Sequence, residues 1–296
     1  MNKFAWMTYL DKKDYLPGLQ GLYYSLQRVN TKYDLIVIYS GNVKKEDIEK
    51  YIEIKKVILF PVEEHIFSPG ILKEHIDERS FAKSKKSQQI AHTVYCRWQK
   101  SNIFGPLCAY GFTEYDKIFY LHCDIILKQN LDFIFNLFLE DKTYVAAFSE
   151  DGTINSTRLL CITPNKKVYN FISENISILE KDKQIITIDS FIDKYLVKLK
   201  LIKIGQIPYM KSFENMLFHF GGIVKYWTAF PNLPIKEILT NQESDWVTVF
   251  QNIITKTQEL EFKYGINDLI DKTIWKNDKN LFNDFCDKTK EITWLT

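Results

Sequence analysis

His122 and Asp124 stand two positions apart in Ile118 to Leu127 (I-F-Y-L-H-C-D-I-I-L), an otherwise apolar run suited to a buried strand. Alternate strand residues point to one face. An imidazole and a carboxylate at the end of such a strand can therefore converge on one cation, and together they suit a borderline divalent ion. The same pair also has an ordinary structural reading, as a hydrogen-bonded Asp beside a satisfied core histidine. A second segment far downstream, His219-Phe220-Gly221-Gly222-x-x-Lys225, carries matching parts. His219 offers another nitrogen ligand, glycine lets backbone approach a phosphate closely, and Lys225 can neutralise a diphosphate. Alone, that segment reads as a glycine turn beside a buried aromatic cluster.

The elements that must position these residues follow from apolar patterning. Phe4 to Leu10 reads as a first buried strand, and Tyr15 to Val29 has helical spacing at Leu19, Leu22, Tyr23, Leu26 and Val29, with Pro17 in the first turn. Tyr33 to Ser40 and Lys56 to Val62 read as strands around an exposed, charged helix over Val43 to Ile54. This β-α-β-α-β order predicts a parallel sheet of nucleotide-binding type. Glu63 to Ala91 is polar and broken by Ser68-Pro69-Gly70, as expected of a long loop or partly helical lid; His92 to Phe104 reads as a helix interrupted by Gly105-Pro106. After the His122 strand, Asn130 to Phe138 predicts a short helix, Tyr144 to Ser149 and Arg158 to Thr163 strands, and Lys166 to Ile176 a helix. Ile185 to Leu196 is expected to be a loop entering another helix, and Leu201 to Ile207 a late strand. From Pro231 the chain is helix-like, with Trp246, Val249, Phe250 and Ile253 at helical spacing. The expected division is one domain over 1–230 and a helical extension over 231–296 packed on it.

Composition narrows the function classes. The 296 residues are 46% hydrophobic with a formal net charge of +2, enough for a sizeable core but without the basic excess that nucleic-acid binding wants. Five scattered cysteines without a C-x-x-C suggest reduced thiols in a cytosol-like compartment. No run approaches the roughly 18 apolar residues of a membrane span, and Met1 to Lys13 lacks signal-peptide features, so a cytoplasmic protein is expected. No G-x-G-x-x-G follows the first strand, which argues against a dinucleotide oxidoreductase.

The order of these pieces resembles the glycogenin-like retaining glycosyltransferases (glycosyltransferase family 8), a family that includes bacterial lipooligosaccharide galactosyltransferases. Five ordered segments carry the likeness: Thr8 to Gly18, Thr31 to Ile38, Thr113 to Leu127, Ile154 to Ser156 with Asp189 in I-D-S-F, and His219 to Trp227. The resemblance implies the α/β GT-A fold, a mixed, mostly parallel sheet flanked by helices. It also implies transfer of a hexose (glucose, galactose or GlcNAc) from a UDP-sugar to a glycan or protein hydroxyl, with Mn²⁺ or Mg²⁺ as cofactor. By the same resemblance His122, Asp124 and His219 would ligate the metal, and the stretch His122-Cys123-Asp124 would face the nucleotide. Tyr9 and Tyr15 would line the base pocket, with Met7 and Thr8 contributing main chain. Gly222 and Lys225 would hold the diphosphate, Asn155 and Asp189 would face the donor sugar, and Arg97, with Lys100 as the fallback, would touch the donor.

Three positions depart from the family pattern: His122 stands for the first Asp of D-x-D, Ser190 for the Gln that follows Asp189, and Tyr226 for the Pro after the diphosphate lysine. His122 removes one negative charge and a hard oxygen from the site, and Ser190 cannot place an amide beneath the anomeric carbon. A second hypothesis follows from them, a nucleotide-sugar-binding protein of the same fold with impaired catalysis. The 17 tyrosines also leave self-glycosylation on a partner subunit's tyrosine open, and with it a homodimer.

Overall fold

The structure is a computed structural model describing residues 2–40, 43–54, 57–61, 105–148, 154–179, 188–207, 215–220, 225–230 and 232–257. The expected lid, the helix expected over His92 to Phe104, and with them Arg97, Lys100 and Gly222 lie outside the described residues. The chain divides into two compact units, Met1–Asp77 with Gln99–Leu217 and Glu78–Trp98 with Phe218–Thr296.

The first unit is built on a seven-stranded sheet. Its strands are β1 (Phe4–Leu10), β2 (Asp34–Tyr39), β3 (Val57–Pro61), β4 (Lys117–Leu121), β6 (Thr143–Phe148), β7 (Ile154–Ile162) and β8 (Ile204–Gln206), with a separate short strand β5 (Ile125–Leu127) between β4 and β6. The spatial order is β3-β2-β1-β4-β7-β6-β8. Pairs β3/β2, β2/β1, β1/β4 and β6/β8 are parallel, while β7 runs antiparallel to both neighbours. The sheet is thus the mixed, mostly parallel α/β architecture expected from the sequence.

Alternation along β1 sends its side chains into two different cores. Ala5, Met7 and Tyr9 join Ile36, Ile38, Ile118 and Tyr120 under a buried 3-10 helix, Gly105–Gly111, and under Val168, Tyr169 and Ile172 of a helix over Lys166–Leu179. Phe4 and Trp6 face the other way, onto Phe135 at ring separations of 5.0 and 4.9 Å. Phe135 belongs to a 3-10 turn, Asp132–Asn136, where a short helix is expected. Helix α1 (Leu16–Arg28) buries Leu19, Leu22, Tyr23 and Leu26, the spacing read in the sequence. Its end is held by Asn30 in a left-handed conformation (φ 54°), with the Asn130 side-chain amide donating to the Val29 and Asn30 carbonyls at 3.0 and 3.1 Å.

One buried cation ties the sheet to its edge. Lys117 is 2% exposed, and its ammonium donates to the Glu140 and Lys142 carbonyls at 2.5 and 3.3 Å and to the Thr163 hydroxyl. Burial pushes its pKa below the usual lysine value, so it is retained as a cation by these three acceptors.

The second unit has its own aromatic core. Phe218, Phe220 and Tyr226 lie against Phe250, with ring separations of 6.1, 6.3 and 5.9 Å. Trp246, Phe250 and Ile253 are buried on a helix at 246–257, preceded by short helices over Tyr226–Ala229 and Ile235–Thr240. No helix among the described residues is long and apolar enough to cross a membrane. Cys108, Cys123 and Cys161 are buried and outside any disulfide.

Candidate active site

The apolar run around His122 is not one continuous strand. β4 stops at Leu121, and the Ile125 amide donates back to the His122 carbonyl at 3.1 Å, closing a turn before β5 begins. The turn does by curvature what strand alternation was expected to do. It folds His122 and Asp124 toward each other, with Nδ1 of His122 and Oδ1 of Asp124 at 2.6 Å. Asp124 is 2% exposed and its imidazole partner 38%. An ionised carboxylate only accepts hydrogen bonds, so with Asp124 ionised this contact has Nδ1 as the donor. The ring is held from a second direction by Tyr15, edge-on at 5.9 Å.

The parallel neighbour β1 brings more chemistry to the same edge. Its last register pair with β4 is Met7↔Tyr120, and Asp11 follows β1 as His122 follows β4, at the carboxyl ends of two neighbouring parallel strands. Asp11 lies within electrostatic reach of His122, and its carboxyl is pushed above the usual range by burial, against the lowering pull of Lys12, its own amide and His122. Its Oδ2 is buried with no hydrogen-bond partner among the described residues, as is Oγ1 of Thr8. Tyr120 reports the shared environment. Burial first, then the neighbouring Cys123, Asp124, Tyr9 and Asp11, raise its phenol well above the usual value.

Asp11 falls in the Thr8 to Gly18 segment but has no site role in the sequence reading, because it begins a charged turn, D-K-K-D, that looks like solvent-facing punctuation. The available signal was positional. It is the first residue after β1, and in α/β sheets ligands bind beyond the carboxyl ends of neighbouring parallel strands. Since burial raises its folded-state pKa, Asp11 favours folding only below its unfolded value, and that contribution is lost as pH rises through the folded one.

The other expected site residues are distributed as follows. Met7 and Thr8 are fully buried in β1, and Cys123 is buried inside the turn. Tyr9 is 8% exposed, with its hydroxyl shared with Ser40 at 2.6 Å. Its ring lies where a Cβ on Gly105 would be. Gly105→Ala is therefore expected to displace that ring and lower stability by about 1–3 kcal/mol, the usual cost of overpacking, read as a fall in the thermal midpoint. Asn155 lies on β7 and Asp189 on a short helix, Ile188–Phe191. His219 and Lys225 belong to the second unit, where the Lys225 ammonium donates to the Phe220 carbonyl at 2.5 Å.

Among the described residues no three His, Cys, Asp or Glu side chains form a ready-made metal cage. The donors still fit a divalent ion of the Mg²⁺ or Mn²⁺ kind. Such ions are commonly held by one or two carboxylates, with the substrate's phosphates completing the shell. An imidazole, a buried carboxylate and an orphaned carboxylate oxygen at one sheet edge match that donor chemistry.

Comparison with known proteins bears on what this edge belongs to. An uncharacterized protein of Acanthamoeba polyphaga mimivirus is 25% identical over 189 residues, covering 62% of this chain and 57% of that one. The chain thus matches little more than half the length of that relative. Among solved structures, the glycosyltransferase GlyE of Streptococcus pneumoniae TIGR4 is 14% identical, covers 86% of this chain and 65% of its own, and gives a TM-score of 0.47. The galactosyltransferase LgtC, solved with donor and acceptor sugar analogues, is 14% identical over 85% of this chain and 95% of its own, also at 0.47. The family model for glycosyl transferase family 8 matches residues 7–187, well over half the chain and inclusive of the end of β1 from Met7, the His122–Asp124 turn and β7. On that match, the chain belongs to glycosyl transferase family 8.

Proposed function

We propose that the protein is a metal-dependent, retaining glycosyltransferase that moves a hexose (glucose, galactose or GlcNAc) from a UDP-sugar to a hydroxyl on a glycan or protein. The observation that carries the reading is the buried Asp124 carboxylate held 2.6 Å from His122 at the carboxyl edge of parallel strands, in a chain of this family. A bound Mn²⁺ or Mg²⁺ would supply Lewis-acid stabilisation of the charge that develops on the departing diphosphate. In this reading Asp124 and His122 hold that ion together with His219, and Lys225 with Gly222 binds the diphosphate electrostatically. Tyr15, already edge-on to His122, borders the nucleotide. Asp189, Asn155 and Arg97 orient the donor sugar, Asp189 being the carboxylate assigned to the anomeric side. A retaining attack from the leaving-group side lets a phosphate oxygen take the acceptor's proton, so no dedicated protein base is required.

The deciding measurement is UDP release from UDP-glucose, UDP-galactose and UDP-GlcNAc, with Mn²⁺, with Mg²⁺ and with EDTA. Release from at least one donor that EDTA abolishes is expected. Calorimetric binding of UDP without release from any donor would replace this reading with that of a nucleotide-sugar-binding protein, and release undiminished by EDTA would remove the metal from it.

A further inference from the structure

A divalent ion bound at His122-x-Asp124 meets only one carboxylate from that motif. A second stands close by and is unused. Asp11 follows β1 directly, at the same carboxyl edge of the parallel β1/β4 pair from which the His122–Asp124 turn leaves. Asp11 lies within electrostatic reach of His122, and Tyr120 lies within reach of Asp11 and Asp124 together, so both carboxylates belong to one environment. One oxygen of Asp11 is buried and has no hydrogen-bond partner among the described residues. Burying a carboxylate oxygen without a partner is costly, and such a cost persists where a ligand removes it. Lys12, the adjacent cation, acts on Asp11 only through its charge and leaves Oδ2 unbonded.

We infer that Asp11 provides the second negative charge of the cation site, acting as an outer partner of the bound divalent ion and not as a direct ligand. The outer role follows from geometry, because Asp11, His122 and Asp124 do not form a three-ligand group in the structure. Outer partners fix the orientation of ligands and of metal-bound water and tune the metal's affinity. The inference rests on the metal-dependent reading proposed above. It adds that His122 is tolerated in the motif because Asp11 restores the missing charge from a neighbouring strand.

The test is Mn²⁺ binding by the full-length chain, followed through the free-ion electron paramagnetic resonance signal with and without UDP. Asp11→Asn is expected to weaken Mn²⁺ about 10- to 100-fold, the range for loss of an outer partner, while Asp11→Glu, which keeps the charge, retains most of the affinity. The metal-free Asp11→Asn protein should also melt at a higher temperature than the parent, since it no longer buries an ionisable carboxyl whose Oδ2 has no hydrogen-bond partner among the described residues. In a His122→Asp background, Asp11→Asn should cost much less, because the motif then carries two carboxylates of its own. Unchanged Mn²⁺ affinity in Asp11→Asn, with affinity lost in Asp124→Asn, would overturn the inference alone. An equal loss in both backgrounds would also overturn it, since Asp11 would then not be compensating for His122. Unchanged affinity in Asp124→Asn as well would remove the metal reading itself.

Discussion

Asp124→Asn is expected to reduce nucleotide release from a sugar nucleotide by about a hundred-fold or more, with the fold intact. The substitution keeps the side chain's shape and its Oδ1 acceptor, so the contact with Nδ1 of His122 can persist. What it removes is the negative charge of a carboxylate that is 2% exposed. A charge in that position is weakly screened by solvent, and its loss is felt in full by any cation at the site. Even outer partners of a metal ligand cost about 10- to 100-fold in affinity or activity when removed, so a residue proposed as a direct ligand should reach or exceed the upper figure. Initial rates at saturating Mn²⁺, beside a thermal melt matching that of the parent protein, check it. Turnover within about threefold of the parent would sink the assignment of Asp124 as a ligand, because the lost charge is worth far more than that at a metal.

The largest expected loss of stability is at Phe135. Its ring is fully buried and meets Phe4, Trp6, Tyr33 and Phe119 at 5.0, 4.9, 4.7 and 6.0 Å. These partners come from β1, β4 and the residue just before β2, so one side chain joins two strands and the entry to a third to the turn at Asp132–Asn136. Truncation leaves a cavity among rigid rings that cannot collapse to fill it. Phe135→Ala should therefore cost about 3–5 kcal/mol, a large share of the roughly 5–15 kcal/mol that holds a domain folded. For a unit of this size the melting temperature should fall on the order of 10 °C. Leu137→Ala is the control: it sits in the same stretch but is 57% exposed, and surface changes of that kind stay within about 0.5 kcal/mol. Comparable losses at both positions, followed by circular dichroism, would show that the aromatic cluster does not carry the stability assigned to it.

Much of the first unit was legible in the sequence because it is built from local periodicity. Phe4 to Leu10 is β1 to the residue, and α1, β2 and β3 end within a residue or two of the apolar patterns that predict them. Apolar runs bounded by charged turns can only be buried in one way, and a β-α-β-α-β order leaves the parallel sheet as the solution. The segment at Gly105-Pro106 was misleading for a related reason. A Gly-Pro pair reads as an interruption, yet Gly105–Gly111 is a buried 3-10 turn roofing β1, with the Tyr110 hydroxyl bonded to that of Thr143 at 2.9 Å. Its burial depends on tyrosine rings from distant elements, Tyr9 and Tyr169, lying against Gly105 and Gly111. Nothing in the local pattern announces those partners.

The chemistry of His122 and Asp124 follows the same division. Residue types and spacing alone set an imidazole and a carboxylate at one strand end, where the cation site is proposed. Tertiary structure decided how they meet, through a turn closed by the Ile125 amide, a backbone bond that no glycine or proline marks. It also decided which other carboxylate shares the site. Parallel pairing of β1 with β4 joins positions 113 residues apart, as in the bond from the Lys3 amide to Asp116 at the opposite end of the same strand pair. That register brings Asp11 to the edge where Asp124 is buried. A sequence specifies strands by local burial, but register and neighbour order are settled only when the whole sheet closes on its two cores, and the second carboxylate at this site is a product of that closure.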